Sequence, residues 1–198
     1  IASSDPNVPS RDFNEPLTMN GGTLKATSFV IWTAPIVLNA NSAIYVKDGE
    51  YLQISGVISG NYGFTKTGQA VLELSATNTY KGATVIDDGT ILLSNPQGLG
   101  SIDGRVTINS LGELHLWDLN VVGKALTLNG GVLSSASLQE TGGSGESVWG
   151  GNITLSADSA FRANGSLTIN GVISGNAGFV VFGSINYPEL SVLVLNQA

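Results

Sequence analysis

The sequence contains a single histidine, His115, so a nucleophilic site of the Ser-His-Asp type would have to be built around it. Glu113 lies two residues earlier, and Leu114 and Leu116 alternate with the polar positions. This alternation is typical of a strand that turns Glu113, His115 and Trp117 outward. One histidine beside one carboxylate does not make a catalytic constellation. The pattern therefore favours an ordinary surface histidine.

The carboxylates are few and widely spaced. A polysaccharide lyase needs carboxylates clustered around Ca²⁺ and an Arg or Lys placed as the base. Asp87 and Asp88 are adjacent, but Asp-Asp-Gly is mostly a turn signal. The other candidate acids are isolated from one another: Asp48, Glu73, Asp103, Asp118 and Asp158. We therefore expect no catalytic, cofactor-binding or metal site, and a carbohydrate-acting lyase or hydrolase remains the alternative.

Aromatic side chains offer a different chemistry, the stacking of a sugar ring or of a protein partner. Trp149 and Tyr187 lie in the two segments that depart most from the rest of the chain, and Glu146 lies in the first of them. Binding residues are commonly placed on such segments of a rigid scaffold. Trp149, Glu146 and Tyr187 are therefore predicted as a possible binding loop. The alternative, also for Trp32 and Trp117, is that each aromatic caps the edge of a coil or packs a loop onto the solenoid.

Composition excludes several classes of partner. The net charge is −7 and the eight lysines and arginines are scattered singly, so no basic patch exists to bind nucleic acid. No apolar run approaches the roughly 18 residues of a membrane-spanning helix, and we expect no membrane insertion of this segment. Cysteine is absent, which excludes disulfides and thiolate metal sites.

The elements that would carry these side chains occur twice. Residues 54–64, ISGVISGNYGF, return at residues 169–179 as INGVISGNAGF. Two further pairs of segments match, with offsets of 109 and 117 residues: 16–24 with 125–133, and 36–46 with 153–163. The sequence predicts two tandem units, residues 16–124 and an incomplete second unit at 125–198. A packing unit that stacks on its neighbour benefits from repetition, whereas a catalytic motif rarely needs it.

A shorter period within each unit predicts the fold. Alternating apolar segments recur about every 19 residues, which is close to one coil of a β-solenoid, and no segment keeps a helical apolar period. We therefore expect residues 1–198 to form one all-β solenoid of about nine to ten coils. Phe64 and Phe179 are expected in interior or near-interior positions at equivalent corners. Ile54, Val57 and Ile58 are expected to pack beside Phe64, and Ile169, Val172 and Ile173 beside Phe179.

The polar segment at residues 139–149 interrupts the second unit. Three glycines and two serines make it unsuitable as a core strand. We expect it to leave the solenoid as an exposed loop that is anchored by Trp149. On this interpretation, deletion of residues 141–147 would leave the melting temperature nearly unchanged.

The segment at residues 63–101 resembles the passenger-associated transport repeat, also called the autotransporter-associated β-strand repeat. The residues that carry the resemblance are Thr65-Lys66-Thr67-Gly68, Asn78-Thr79-Tyr80, Gly82, Thr84, Val85, Gly89-Thr90 and Leu99-Gly100-Ser101. The resemblance implies a single-stranded right-handed parallel β-helix that is exported by type V secretion. It also implies a location that is secreted or anchored at the outer membrane surface of a Gram-negative-type bacterium. The repeat implies no catalytic residues, and the second unit lacks the Thr-Lys-Thr-Gly motif.

The function expected from these observations is a structural stalk or display module that is possibly adhesive. The expected partners are neighbouring β-solenoid repeats of the same polypeptide and a glycan or protein receptor on a host cell or cell envelope. Two alternatives remain open, a fragment of a carbohydrate-acting β-helix enzyme and a specific adhesin that binds through its loops.

Overall fold

The computed structural model describes residues 11–135, 146–183 and 192–195, and every regular element in these ranges is a β-strand. The strands stack in three columns, and paired strands in neighbouring coils run parallel. Column one contains β2 (Leu17–Asn20), β5 (Ile36–Ala40), β8 (Ile58–Gly60), β13 (Asn120–Val121), β16 (Glu146–Trp149), β19 (Ser166–Ile169) and β22 (Val192–Leu195).

The other two columns are joined by two long strands that cross from one to the other. Column two contains β3 (Thr23–Ala26), β6 (Ser42–Val46), β9 (Phe64–Thr67), the first halves of β11 (Thr84–Leu93) and β12 (Val106–Leu116), β14 (Leu126–Asn129), β17 (Ile153–Ala157) and β20 (Ile173–Gly175). Column three contains β1 (Arg11–Phe13), β4 (Val30–Trp32), β7 (Tyr51–Ile54), β10 (Val71–Leu74), the second halves of β11 and β12, β15 (Val132–Ser135), β18 (Ser159–Ala163) and β21 (Phe179–Gly183).

The chain visits the columns in the order one, two, three, so each coil takes roughly 20 residues. Within the described ranges the solenoid has about eight coils, close to the expected number. At about 4.8 Å per coil this makes a rod roughly 40 Å long. The predicted all-β parallel solenoid is confirmed.

The interior is formed by alternate side chains of each strand. Side chains of similar type stack on one another in neighbouring coils. In column three, Ile54, Leu74, Leu93 and Leu116 follow one another in register and are fully buried. Burial of each such side chain contributes about 1.5–3 kcal/mol. This repeated contact is what makes the same apolar phrase useful in successive coils.

Column one contains loops instead of strands in two central coils. Asn78 is buried there; its Oδ1 accepts a hydrogen bond from the Ile58 amide at 2.7 Å, and its Nδ2 donates to the Gly98 carbonyl at 2.7 Å. Asn78 thus joins three coils. Tyr80 is also buried, with its ring centroid 5.5 Å from that of Phe64. These contacts give the Asn-Thr-Tyr motif a structural role.

Two lysines point into the solenoid and bond to backbone carbonyls at its corners. Lys66 is fully buried, and its Nζ donates to the carbonyls of Thr67, Gly68 and Asp88 at 3.1, 2.6 and 3.1 Å. Lys124 Nζ donates to the carbonyls of two residues in the preceding coil, Leu99 and Ser101. Burial lowers the pKa of each ammonium to about 8, against the opposing effect of a nearby carboxylate.

The second tandem segment repeats the strand pairing of the first but lies one column further on. Strands β2 to β10 are equivalent in sequence order to β14 to β22. β2 belongs to column one, whereas β14 pairs with the first half of β12 in column two. Local detail is retained, because the register shifts before Asn20 in the β2–β5 pair and before Asn129 in the β14–β17 pair. Five coils and one additional column therefore separate equivalent strands.

This one-column offset makes the expectation for the repeated phenylalanines wrong. Phe64 lies in column two and is 2% exposed, whereas Phe179 lies in column three and is 38% exposed. No strand in the described ranges covers the free side of β21. Val57 and Val172 do not pack beside the rings either; they point outward at corners and are 41% and 51% exposed.

The repeated phrase preserves a close approach between coils. Gly60 and Gly175 have φ angles of 114° and 123°, in the region that favours glycine. A Cβ at either position would overlap the backbone of the preceding coil, at the carbonyl oxygen of Leu38 or Leu155. The equivalent glycines therefore serve the same packing need on different columns.

The polar insertion ends in a core strand, which corrects part of its expected structure. Residues 136–145 lie outside the described ranges, but β16 pairs with β13 and β19. Ser147 and Trp149 are buried. Trp149 pairs with Ile169 as its equivalent Trp32 pairs with Ile54. Deletion of residues 141–147 would remove half of β16, so a loss of stability now replaces the neutral effect as the prediction for that deletion.

Candidate binding surface

The outer side of column three carries the largest set of interacting polar side chains in the described ranges. We call it the column-three face and define it by nine residues: Tyr51, Gln53, Glu73, Ser94, Glu113, His115, Trp117, Ser134 and Arg162. They alternate with the buried core positions of β7, β10, β11, β12, β15 and β18 or directly follow these strands. Parallel register places them in adjacent coils, although they are far apart in the chain.

Glu73 is the centre of the first cluster on this face. Its Oε2 accepts hydrogen bonds from Tyr51 Oη at 2.6 Å and from Gln53 Nε2 at 3.0 Å. Its Oε1 accepts one from Ser94 Oγ at 2.6 Å. Burial, together with the hydrogen bond and charge of Glu73, raises the pKa of Tyr51 well above its usual value. Tyr51 therefore stays protonated and donates to the carboxylate.

Glu113 is the centre of the second cluster. It accepts two hydrogen bonds from Arg162 Nη1, at 3.2 and 3.0 Å, and one from Ser134 Oγ at 2.5 Å. Burial opposes ionisation, yet the pKa of Glu113 stays below its usual value because of hydrogen bonds from His115 and Ser134 and the charge of Arg162. The carboxylate is therefore ionised and joins β12 to β15 and β18.

The Ser134, His115 and Glu113 group does not have the order of a nucleophilic triad. Ser134 Oγ lies 2.8 Å from His115 Nδ1 and donates its proton to Glu113. In a triad the histidine separates the serine from the carboxylate. Here Ser134 bonds the carboxylate directly, and the same His115 nitrogen that faces the serine also lies 3.7 Å from Glu113 Oε1. Ser134 is also fully buried. The arrangement suits a hydrogen-bonded bridge between coils.

Three groups on the column-three face offer contacts to a ligand. Trp117 is half-buried and follows His115 on the outer side of β12. Arg162 Nη1 bonds Glu113, which leaves other guanidinium N–H groups directed at solvent; its side chain is 40% exposed. The Nε2 of His115 makes no hydrogen bond in the described part of the chain. An aromatic ring beside fixed donors is suited to a sugar or a polar peptide.

Of the three predicted site residues, Glu146 and Trp149 lie on opposite sides of one strand. Glu146 is exposed at the start of β16, and its amide donates to Asp118 Oδ1 at 3.1 Å. Trp149 is fully buried on the opposite side of that strand, so its assignment to a binding surface is corrected to a core position. Tyr187 lies outside the described ranges.

Sequence reasoning placed Glu113, His115 and Trp117 outward but missed their partners. Ser134 and Arg162 lie 21 and 49 residues after Glu113. A spacing near one coil was the available signal for Ser134, as it was for the pair Glu73 and Ser94. Arg162 lies beyond the insertion, so its alignment required the strand register.

The described ranges contain neither a cluster of metal-ligating side chains nor a helix that could span a membrane. No group of three or more His, Cys, Asp or Glu side chains is arranged to hold a metal ion there. No helix in that part of the chain has the length and apolar character needed to cross a membrane.

Comparison with known proteins agrees with this architecture. The passenger-associated transport repeat family matches residues 64–93, which run from β9 to the end of β11. The chain is 32% identical over 176 residues to the adhesin BmaC autotransporter of Brucella suis biovar 1 (strain 1330). The match covers 83% of this chain and 5% of that protein, so the chain spans a small part of its relative. No solved structure matches.

The location expected from the sequence, secreted or on the outer surface of a Gram-negative-type bacterium, is confirmed by these two similarities. The parallel columns, the buried Asn78 and Tyr80 and the matched repeat agree with one another. The chain is a parallel β-solenoid that contains a passenger-associated transport repeat at residues 64–93 and is similar over most of its length to part of an autotransporter adhesin.

Proposed function

We propose that this segment is a rigid, non-enzymatic stalk that extends and displays other parts of a surface-exposed passenger. The observation that carries the proposal is the unbroken interior, in which fully buried side chains continue from Ile36 in β5 to Ile169 in β19. Each coil contacts its neighbours, so the rod resists bending without a separate core for each unit. The partner expected along the rod axis is a neighbouring coil of the same polypeptide.

A deletion in the full-length passenger on its native bacterium tests the stalk. Removal of residues 16–124 joins Glu15 to Ala125, where an equivalent strand begins. A stalk shortened in this way is exported, remains resistant to protease and brings distal elements roughly 25 Å closer to the cell. Loss of all receptor binding with normal export and normal exposure of distal epitopes would contradict a purely structural role.

The column-three face supports adhesion as a second candidate function. Its donors are fixed by hydrogen bonds across coils, which lowers the entropy cost of binding. The expected receptor is a glycan or a protein of a host cell or cell envelope. Binding of the purified segment to glycan and matrix-protein arrays should be lost in Trp117→Ala and Arg162→Gln. The control Arg105→Gln changes an exposed arginine of the loop before β12 and should bind normally. Equal binding by all variants would remove this face from consideration.

A further inference from the structure

The hydrogen bonds around His115 determine which of its two ring nitrogens carries the proton. Ser134 Oγ has one proton, and it lies 2.5 Å from Glu113 Oε1 and 2.8 Å from His115 Nδ1. The pKa of Glu113 is lowered, against the effect of burial, by hydrogen bonds from His115 and Ser134 and by the charge of Arg162, so this carboxylate has no proton to donate. The serine proton therefore goes to Glu113, and the proton between Ser134 and His115 belongs to Nδ1.

The other nitrogen of the neutral His115 ring is then a hydrogen-bond acceptor. Nε2 has a lone pair and no proton when Nδ1 is protonated. None of the hydrogen bonds in the described ranges uses Nε2, and the His115 side chain is 21% exposed. Arg162 differs, because a guanidinium group has only donors. The column-three face therefore presents one oriented acceptor as well as donors.

This acceptor and the Arg162 donors lie close together because both side chains contact the same carboxylate oxygen. Arg162 Nη1 lies 3.2 Å from Glu113 Oε1, and His115 Nδ1 lies 3.7 Å from it. In the strand register, Ser134 separates His115 from Arg162 in one outward row, so the guanidinium reaches back toward Glu113. Trp117 follows His115 by two positions, about 7 Å along the same strand. The three groups that can contact a ligand therefore form one patch.

The chemistry of this patch selects among small ligands. A metal ion does not fit, because both Glu113 oxygens already accept hydrogen bonds and the described ranges hold no group of three metal-ligating side chains. An anionic group would be repelled by the lone pair of Nε2. A pair of neighbouring hydroxyl groups suits the patch, since one can donate to His115 and the other can accept from Arg162. Trp117 adds an aromatic ring for the apolar side of such a ligand.

A peptide backbone also carries donors and acceptors, but it cannot pair with this part of the solenoid. Addition of a peptide as a strand requires a free sheet edge. Strand β12 is paired on both sides, with β11 and with β15, and β15 is paired with β18. Only side chains therefore face outward here, and a glycan matches them better than an extended peptide does.

We infer that the column-three face binds a neutral, hydroxyl-rich sugar, with one hydroxyl donating to His115 Nε2, a neighbouring hydroxyl accepting from Arg162 and the sugar ring packing on Trp117. Ser134 and Glu113 are positioning residues, because they hold His115 in the tautomer that is protonated at Nδ1. The inference rests on adhesion by this face, the second candidate function above, and names the class of its ligand.

The tautomer is measured without a ligand, because His115 is the only histidine in the chain. A long-range proton–nitrogen correlation spectrum of the purified chain, recorded above the end of the ring's own titration, distinguishes a protonated ring nitrogen from an unprotonated one. Nδ1 should be the protonated nitrogen in the parent protein. Ser134→Ala removes the acceptor of that proton and should shift the ring toward the form protonated at Nε2. A parent ring that carries its proton on Nε2 would overturn the inference, whatever the chain binds.

Binding is measured on an array that carries neutral oligosaccharides beside their sialylated and sulfated forms and beside matrix proteins. The parent should prefer the neutral forms. Ser134→Ala should weaken this binding about tenfold, because one hydrogen bond to the sugar is lost without a change in any residue that contacts it. Ser59→Ala is the matched control: Ser59 Oγ donates to the Ile36 carbonyl in column one, and its removal should change neither the tautomer nor the binding.

The outcomes distinguish this inference from the adhesive function itself. Preference for charged glycans or for matrix proteins, lost in Trp117→Ala and Arg162→Gln, would leave adhesion in place and overturn the assignment of a neutral sugar. Equal binding by the parent and by Ser134→Ala would also overturn it, because the tautomer would then have no effect. Absence of binding by the parent to every probe on the array would remove adhesion and this inference together.

Discussion

The buried Lys66 provides the sharpest test of how the solenoid interior is held together. Lys66→Met keeps the length and apolar stem of the side chain but removes the ammonium. Three corner carbonyls, those of Thr67, Gly68 and Asp88, then lose their donor. A buried polar group without a partner costs about 1–3 kcal/mol, so the gross loss is roughly 3–9 kcal/mol.

One effect opposes this loss. Burial lowers the pKa of Lys66 to about 8, against the opposing charge of Asp88, so holding the charged ammonium away from water has a cost in free energy. Methionine removes that cost. We therefore expect Lys66→Met to lower the free energy of unfolding by about 2–4 kcal/mol. Urea denaturation followed by circular dichroism measures the change, with the slope of the transition checked for constancy.

The control is Lys81→Met, which changes an exposed lysine and should alter stability by less than about 0.5 kcal/mol. The pH dependence gives an independent check. Because the folded pKa of Lys66 lies below its unfolded value, the unfolded chain binds more protons, and the free energy of unfolding of the parent protein should rise from about pH 8 toward pH 10. This rise should be smaller in Lys66→Met. A methionine variant as stable as the parent would refute the view that Lys66 caps the corner.

Three further predictions concern the two units and the column-three face. Phe64→Ala should cost about 3–5 kcal/mol by denaturant unfolding, whereas Phe179→Ala should cost less than about 1.5 kcal/mol; equal losses would contradict the difference in their cover. Deletion of residues 141–145 should leave the melting temperature within a few degrees, and deletion of 141–147 should lower it by more, because the longer deletion also removes half of the paired strand β16. Glu113→Gln should weaken the protein above pH 5 by about 1–2 kcal/mol and have little effect near pH 3. The reason is that its folded pKa is lowered, so its contribution is present above the unfolded pKa and disappears as the pH falls through the folded one; a pH-independent loss would contradict this.

Much of the fold could be predicted from local sequence. Strands reveal themselves by alternation, and Leu114 and Leu116 are buried while Glu113 and His115 face outward, as expected. The repeated Gly60 and Gly175 correctly pointed to packing, because only glycine permits that approach between coils. The tandem units and the period of about 19 residues then selected a solenoid from the folds that share such alternation, and the resemblance to a passenger repeat implied the same fold.

The candidate surface was predictable only in part. The outward position of a residue follows from alternation within one strand, but its partners come from other coils. Two coils of unequal length separate Glu113 from Arg162. The two side chains meet because β12, β15 and β18 are paired in register in spite of this difference in coil length. Trp149 was misplaced for a different reason. The polar residues before it suggested a loop, whereas Glu146–Trp149 form a strand in which Trp149 is buried.

The sequence by itself determined the strands, their inward and outward faces and the existence of two similar units. Tertiary structure alone decided how far the second unit is rotated around the solenoid axis relative to the first. A sequence repeat shows how many residues separate two equivalent strands. Their positions around the solenoid depend on how many columns the intervening chain crosses. The first unit crosses five coils and one additional column, so β14 stacks in column two although its equivalent β2 stacks in column one. Local packing is the same in both units because each strand contacts only the strands of neighbouring coils. The direction that each unit faces is set by all the turns of the chain between the two units.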